Sequence, residues 1–145
     1  MLQRILLAWD GSAAAKRALD MAIDLARRYQ AEIVAVSVAY SPAHAETDED
    51  RRESVSAARR HLEGTLAAVR DRADRIGVSL EQALIEGDHP ADELLRYAHE
   101  HGFDLLVAGR PRSGLARRVL MHGVAEALAA KAEIPVLIVG TPSDG

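Results

Sequence analysis

The chain has 145 residues, 48 % hydrophobic and 3 % aromatic, with a formal net charge of −4 and no cysteine. That length suits one domain, with a core filled by Ala, Leu and Val. The composition excludes disulfides, thiol catalysis and cysteine-ligated metals, and the acidic balance argues against a general nucleic-acid binder, which needs a basic face.

Arg4 to Trp9 predicts a first strand, entered at once from the N-terminus. Its apolar run is too short for a signal peptide and is interrupted by Asp10. No run approaches the roughly 18 apolar residues of a membrane span, so the expected location is the cytoplasm. Ser12 to Tyr29 predicts a helix, with Ala15, Ala18, Leu19, Ala22, Leu25 and Ala26 at helical spacing and Ser12 as N-cap. Glu32 to Val38, rich in Val and Ile, predicts the second strand, and Tyr40 to Asp50, with Pro42 and four acidic residues, a flexible loop.

Arg51 to Ile76 predicts a long helix. Its Val55, Ala58, Leu62, Thr65, Val69, Ala73 and Ile76 advance by threes and fours, the stripe of a helix laid on a sheet, and Gly77 stops it. Val78 to Ile85 predicts the third strand. Gly87-Asp88-His89-Pro90 turns into a third helix that ends near His101. Asp104 to Ala108 predicts the fourth strand, Leu115 to Lys131 the fourth helix and Pro135 to Val139 the fifth strand. Continuous apolar strands separated by helices belong to a parallel sheet buried on both faces. The domain is expected over residues 1–140, with a loose tail over 141–145.

Two strands run straight into loops of polar and small residues, and ligands of open α/β sheets bind beyond the carboxyl ends of strands. After the first strand, Asp10 offers an acceptor for a ribose hydroxyl or an adenine amine; helix capping accounts for Asp10-Gly11-Ser12 equally well. After the fourth, Gly109 leaves room for a close ligand, Arg110 and Arg112 bring charge, and Ser113 brings a hydroxyl. Arg117 and Arg118 crowd the start of the expected fourth helix, where cations oppose the dipole unless an anion balances them. His122-Gly123 falls inside that helix, where Gly signals close packing or a close ligand. No Walker A sequence, GxGxxG, nucleophile elbow, nucleophile–base pair or metal cluster is visible.

The chain resembles the universal stress protein family over nearly its whole length. The resemblance rests on Ile5-Leu6-Leu7-Ala8-Trp9-Asp10-Gly11-Ser12, Ile33 to Val38, Glu86-Gly87-Asp88-His89-Pro90, Asp104 to Gly109, and Ile134 to Val139. It implies a Rossmann-like α/β fold: a five-stranded parallel sheet in the order 3-2-1-4-5, with helices on both faces. It also implies a homodimer formed through the last strand, here Val136, Leu137, Ile138 and Val139. Some members bind ATP, with magnesium, or AMP, through Gly-x-x-Gly, nine residues, then Gly-Ser/Thr. From Gly109, this chain places Arg112 at the second Gly, His122 at the third and Gly123 at the Ser/Thr; Gly114 or Gly123 substitutes in part if the loop is shifted.

The implied nucleotide site comprises Ala8 and Asp10, Val38 where the family's backbone meets adenine, Ala108, Gly109, Arg112 and Gly114, and Gly123 with Val124. Trp9 is bulky where a smaller residue is usual. The function implied is a small stress-response module without fast turnover. The rivals are a slow ATP hydrolase or other nucleotide-dependent enzyme, and an interaction module whose pocket is vestigial.

Overall fold

The computed structural model describes residues 2–40, 47–110 and 123–140. In chain order the elements are β1 (Arg4–Ala8), α1 (Ala13–Tyr29), β2 (Glu32–Tyr40), α2 (Asp48–Arg75), β3 (Leu80–Gly87), α3 (Pro90–Glu100), β4 (Leu105–Gly109), α4 (Val124–Lys131) and β5 (Val136–Val139). The strands form one sheet in the order β3-β2-β1-β4-β5, and every pairing is parallel. The alternation of strand and helix therefore builds the doubly wound sheet expected from it.

The central strand shows why both faces must be covered. Ile5, Leu6, Leu7 and Ala8 have no exposed surface. Ile5 and Leu7 join a cluster with α1 and α2, and Leu6 and Ala8 join a second with α3 and α4. Successive strand side chains point to opposite faces, so an unbroken apolar strand demands helices on each. On α1 the buried stripe is mostly alanine: Ala14, Ala15, Ala18, Ala22 and Ala26, with Leu19 and Ile23. Small side chains let this helix lie close to the sheet.

Several boundaries differ from the sequence reading, each for a local reason. Trp9 is beyond β1, although its N–H still donates to Val36 O at 3.0 Å. β2 continues past Val38 to Tyr40 because β3 runs beside it from Ile33↔Leu80 to Tyr40↔Gly87. The acidic stretch expected as loop contributes the start of α2: Thr47 Oγ1 accepts the Asp50 N–H at 3.0 Å, and Asp48, Glu49 and Asp50 occupy the first turn. Carboxylates there complement the helix dipole. Gly123 does not lie inside a helix. Its φ is +79° and it precedes Val124 as the N-cap of α4, so the expected helix from Leu115 does not run through it. Residues 115–122 of that expectation, with the loop 111–114 before them and the tail 141–145, lie outside the described residues.

The amino end of the sheet is tied by polar contacts. Asp104 Oδ2 accepts the backbone N–H groups of Gln3 and Arg4, each at 2.9 Å. Arg4 Nε pairs with Glu32 Oε1 at 2.6 Å, its Nη1 donates to His101 O, and its guanidinium lies 4.4 Å from the Phe103 ring centroid. The two N–H groups, Gln3 first and Arg4 second, hold the Asp104 carboxyl below the ordinary aspartate range.

Candidate functional site

At the carboxyl end, β1 stops and the chain turns into α1. Ser12 caps that helix, its Oγ accepting the Ala15 N–H at 3.1 Å. Asp10 Oδ1 accepts the Ser12 N–H at 2.9 Å. The capping expected of this loop is therefore present, with Ser12 as the cap and Asp10 bracing it. The capping occupies half of the carboxylate. Asp10 Oδ2 is buried and has no hydrogen-bond partner among the described residues. A buried carboxylate oxygen without a donor is costly.

That aspartate borders a cavity of about 460 Å³, within the size range of small-molecule sites. The sheet side is formed by Trp9 and Asp10 after β1, Ser37 and Val38 near the end of β2, and Leu84 of β3. Pro90 closes it from the start of α3, and Ala57, Ala58, His61 and Leu62 face it from α2. Most of this lining is apolar. Trp9 is 2 % exposed, and its indole Nε1 donates to Thr65 Oγ1 on α2 at 2.9 Å. The bulky residue flagged in the sequence is thus fixed beneath α2, as part of the cavity wall. Ser37 Oγ donates to Trp9 O at 2.6 Å, and His61 Nε2 lies 3.3 Å from Asp10 O. The turn after β1 is held by β2 on one side and by α2 on the other.

The remaining expected site residues are placed as follows. Ala8 and Ala108 have no exposed surface and pack into the cluster beneath α3 and α4, and neither lines this cavity or the second one described below. Val38 is half-buried against the same cluster and reaches the cavity. At Gly109 the close approach comes from within the protein: a Cβ there would lie 2.2 Å from Ala14 O and 2.5 Å from Ala14 C. Its small size is needed for β4 to pass the first turn of α1. Arg110 is exposed, with its Nε 3.9 Å from Glu126 Oε1. Gly123 and Val124 open α4 and border a second cavity of about 250 Å³, together with His89 and Lys131. Pro90 lines both cavities. Arg112 and Gly114, like Ser113, Arg117, Arg118 and His122, lie outside the described residues.

The sequence reading missed the α2 contribution. Ala58 and Leu62 belonged to the stripe expected to face the sheet, but no spacing signal marked where the sheet ends beneath that stripe. Among the described residues, no group of three or more His, Asp or Glu side chains is arranged to hold a metal ion, and no helix is long and apolar enough to cross a membrane.

Comparison with known proteins assigns the architecture. Residues 1–140 match the model of the universal stress protein family. The universal stress protein YxiE of Bacillus subtilis is 32 % identical over 154 aligned positions, covering 96 % of this chain and 99 % of that protein. A crystal structure from the same family, from Burkholderia pseudomallei, superposes with a TM-score of 0.70 at 32 % identity, covering 94 % of this chain and 95 % of that one. A universal stress protein crystallised in complex with cAMP superposes with a TM-score of 0.66 at 29 % identity, with the same coverage of 94 % and 95 %.

Proposed function

The chain belongs to the universal stress protein family, and from that premise we propose that it is a cytoplasmic regulatory module that binds an adenine nucleotide without fast turnover. The observation that carries this reading is Asp10 Oδ2, buried at the edge of an apolar cavity and without a hydrogen-bond partner among the described residues. A base and its ribose supply what that site lacks: a flat apolar body and an N–H or O–H donor for the carboxylate. Val38 and Leu84 would meet the base, and Asp10 the donor. The second cavity adjoins the first at Pro90 and is bordered by the start of α4, where Gly123 supplies no side-chain cap. Helix starts favour anions, so the phosphate end is assigned there, with Arg112 and Gly114 as its expected neighbours in sequence. The relative solved with cAMP supports the choice of adenine nucleotides.

The test is direct. Purified protein is denatured and the supernatant examined for released nucleotide; the refolded or nucleotide-free protein is then titrated with cAMP, AMP and ATP by calorimetry. Saturable binding of at least one supports the reading. No binding at millimolar concentration overturns it, and release of ADP from ATP at a steady rate would favour a slow hydrolase.

The partner proposed is a second copy of this chain. β5 stands at the edge of the sheet, and all four of its residues, Val136 to Val139, are half-buried and apolar. An apolar edge of this kind invites pairing. Light scattering at micromolar concentration is expected to give a dimer, and Ile138→Lys a monomer or insoluble protein. A monomeric wild type overturns the assignment.

A further inference from the structure

The first half of α2 is an unusual piece of helix. From Asp48 to His61 no side chain is buried; only Val55 and Ala58 are even half-buried. The helix reaches the core only from Leu62 onward, through Leu62, Leu66 and Ala73. A helix is normally held to a sheet by an apolar stripe, and this half has almost none in contact. It is held at its ends instead. Near its start Arg51 Nε lies 3.6 Å from Glu86 Oε2 on β3. Where it reaches the sheet, Thr65 accepts the Trp9 indole N–H, and His61 lies against Asp10 O. Between these ties the helix passes over the 460 Å³ cavity, and the side chains it shows to that space include Ala57 and Ala58.

Alanine facing a void forfeits contacts that larger apolar residues would make, because packing is lost wherever one side has no partner atoms. The Trp9 side of the cavity is fixed relative to α2, since the indole Nε1 is bonded to Thr65 of that helix. Trp9, Val38 and Leu84 on the sheet side and Ala57, Ala58, His61 and Leu62 on α2 enclose a largely apolar space, and the two alanines are the smallest side chains α2 turns toward it, which leaves room for a flat apolar group. We infer that α2 completes the ligand site as its roof, and that Ala57 and Ala58 set the thickness of the group it admits. This rests on the nucleotide reading above and adds to it: the base is recognised between β-strand ends and α2, and the helix half with no fully buried side chain gains packing from the ligand.

The experiment uses the full chain and four proteins: wild type, Ala57→Leu, Ala58→Leu, and Ala67→Leu. Ala67 is exposed on the same helix and does not line the cavity. Leu is close to Ala in helix propensity, so circular dichroism should be the same for all four. Affinity for cAMP and AMP is measured by calorimetry and by emission from Trp9, the single tryptophan of the chain. At least tenfold weaker binding in Ala58→Leu, a loss in the same direction in Ala57→Leu, and wild-type binding in Ala67→Leu support the roof. Equal affinity in all four proteins overturns it, as does an equal loss in Ala67→Leu. Should Ala58→Leu fail to fold, Ala57→Leu decides the matter by the same criteria. A wild type that binds neither nucleotide removes the underlying reading first, and that outcome is distinct because it precedes any variant.

Discussion

Two aspartates, one at each end of the central strand, are treated in opposite ways. At the amino end, Asp104 collects two backbone N–H groups on one oxygen, one of them from Arg4, whose guanidinium meets Glu32 and the Phe103 ring. At the carboxyl end, Asp10 braces a helix cap with one oxygen, and its other oxygen is buried beside a cavity without a partner among the described residues. Satisfied polar groups fix a fold; an unsatisfied one marks a place where the fold departs from its own rules, and such departures concentrate at functional sites. The contrast separates residues that hold the sheet together from those left open for something else.

The largest effect should come where the carboxyl end is still core. Trp9→Ala removes a side chain that is 2 % exposed together with its bond to Thr65. A loss of about 3–5 kcal/mol is expected, as for other large aromatic deletions, measured by urea unfolding. A loss below 1 kcal/mol would mean that Trp9 is only a lid on the cavity. Next is Gly109→Ala, whose Cβ would collide with the Ala14 backbone. Overpacking of this kind costs about 1–3 kcal/mol. Unchanged stability with lost nucleotide affinity would restore the ligand-approach role expected from sequence.

How much of this could be read in advance depended on the kind of signal. The sheet order accompanied the resemblance, and the elements themselves followed from periodicity. Ile5 to Ala8 is apolar at every position, and a strand that never alternates has only one environment, the middle of a parallel sheet. Boundaries failed where side-chain chemistry had two readings. Asp48, Glu49 and Asp50 look like loop by composition and like a helix start by dipole, and Thr47 decides for the helix. Gly123 looks tolerable inside a helix until its φ of +79° makes it a cap. Asp10 was found because a strand end followed by Asp-Gly-Ser is local. The cavity was not, since it depends on α2 meeting the β1 turn across more than fifty residues: Thr65 and Trp9 are separated by 56 positions.

Asp10→Asn sharpens the contrast from the open end. Asparagine keeps an oxygen for the Ser12 N–H and replaces the orphaned oxygen with a donor. Stability should change by no more than about 0.5 kcal/mol, the range of substitutions that break no structural feature. Affinity for an adenine nucleotide should fall by about 1.5–3 kcal/mol, roughly 10- to 150-fold, the range for a hydrogen bond to a charged group. Calorimetry on folded protein separates the two effects. A stability loss above 1 kcal/mol with affinity intact would make Asp10 a capping residue only.

Asp104→Asn is the converse and the smallest effect. Its carboxylate is only partly buried, so solvent weakens the contribution, and about 1 kcal/mol of stability should be lost, with nucleotide affinity unchanged. The pH dependence identifies the cause. The N–H groups of Gln3 and Arg4 favour the ionised carboxylate, so its pKa in the folded protein lies below the unfolded value. The unfolded chain therefore binds this proton more readily as pH falls. The stabilisation is fully present above the ordinary aspartate pKa and is lost as pH drops from there through the depressed folded value. Urea midpoints of the wild type and Asp104→Asn should accordingly differ most near neutrality and converge in acid. A difference that stays constant with pH would assign the loss to geometry at the amino end and not to the charge held there.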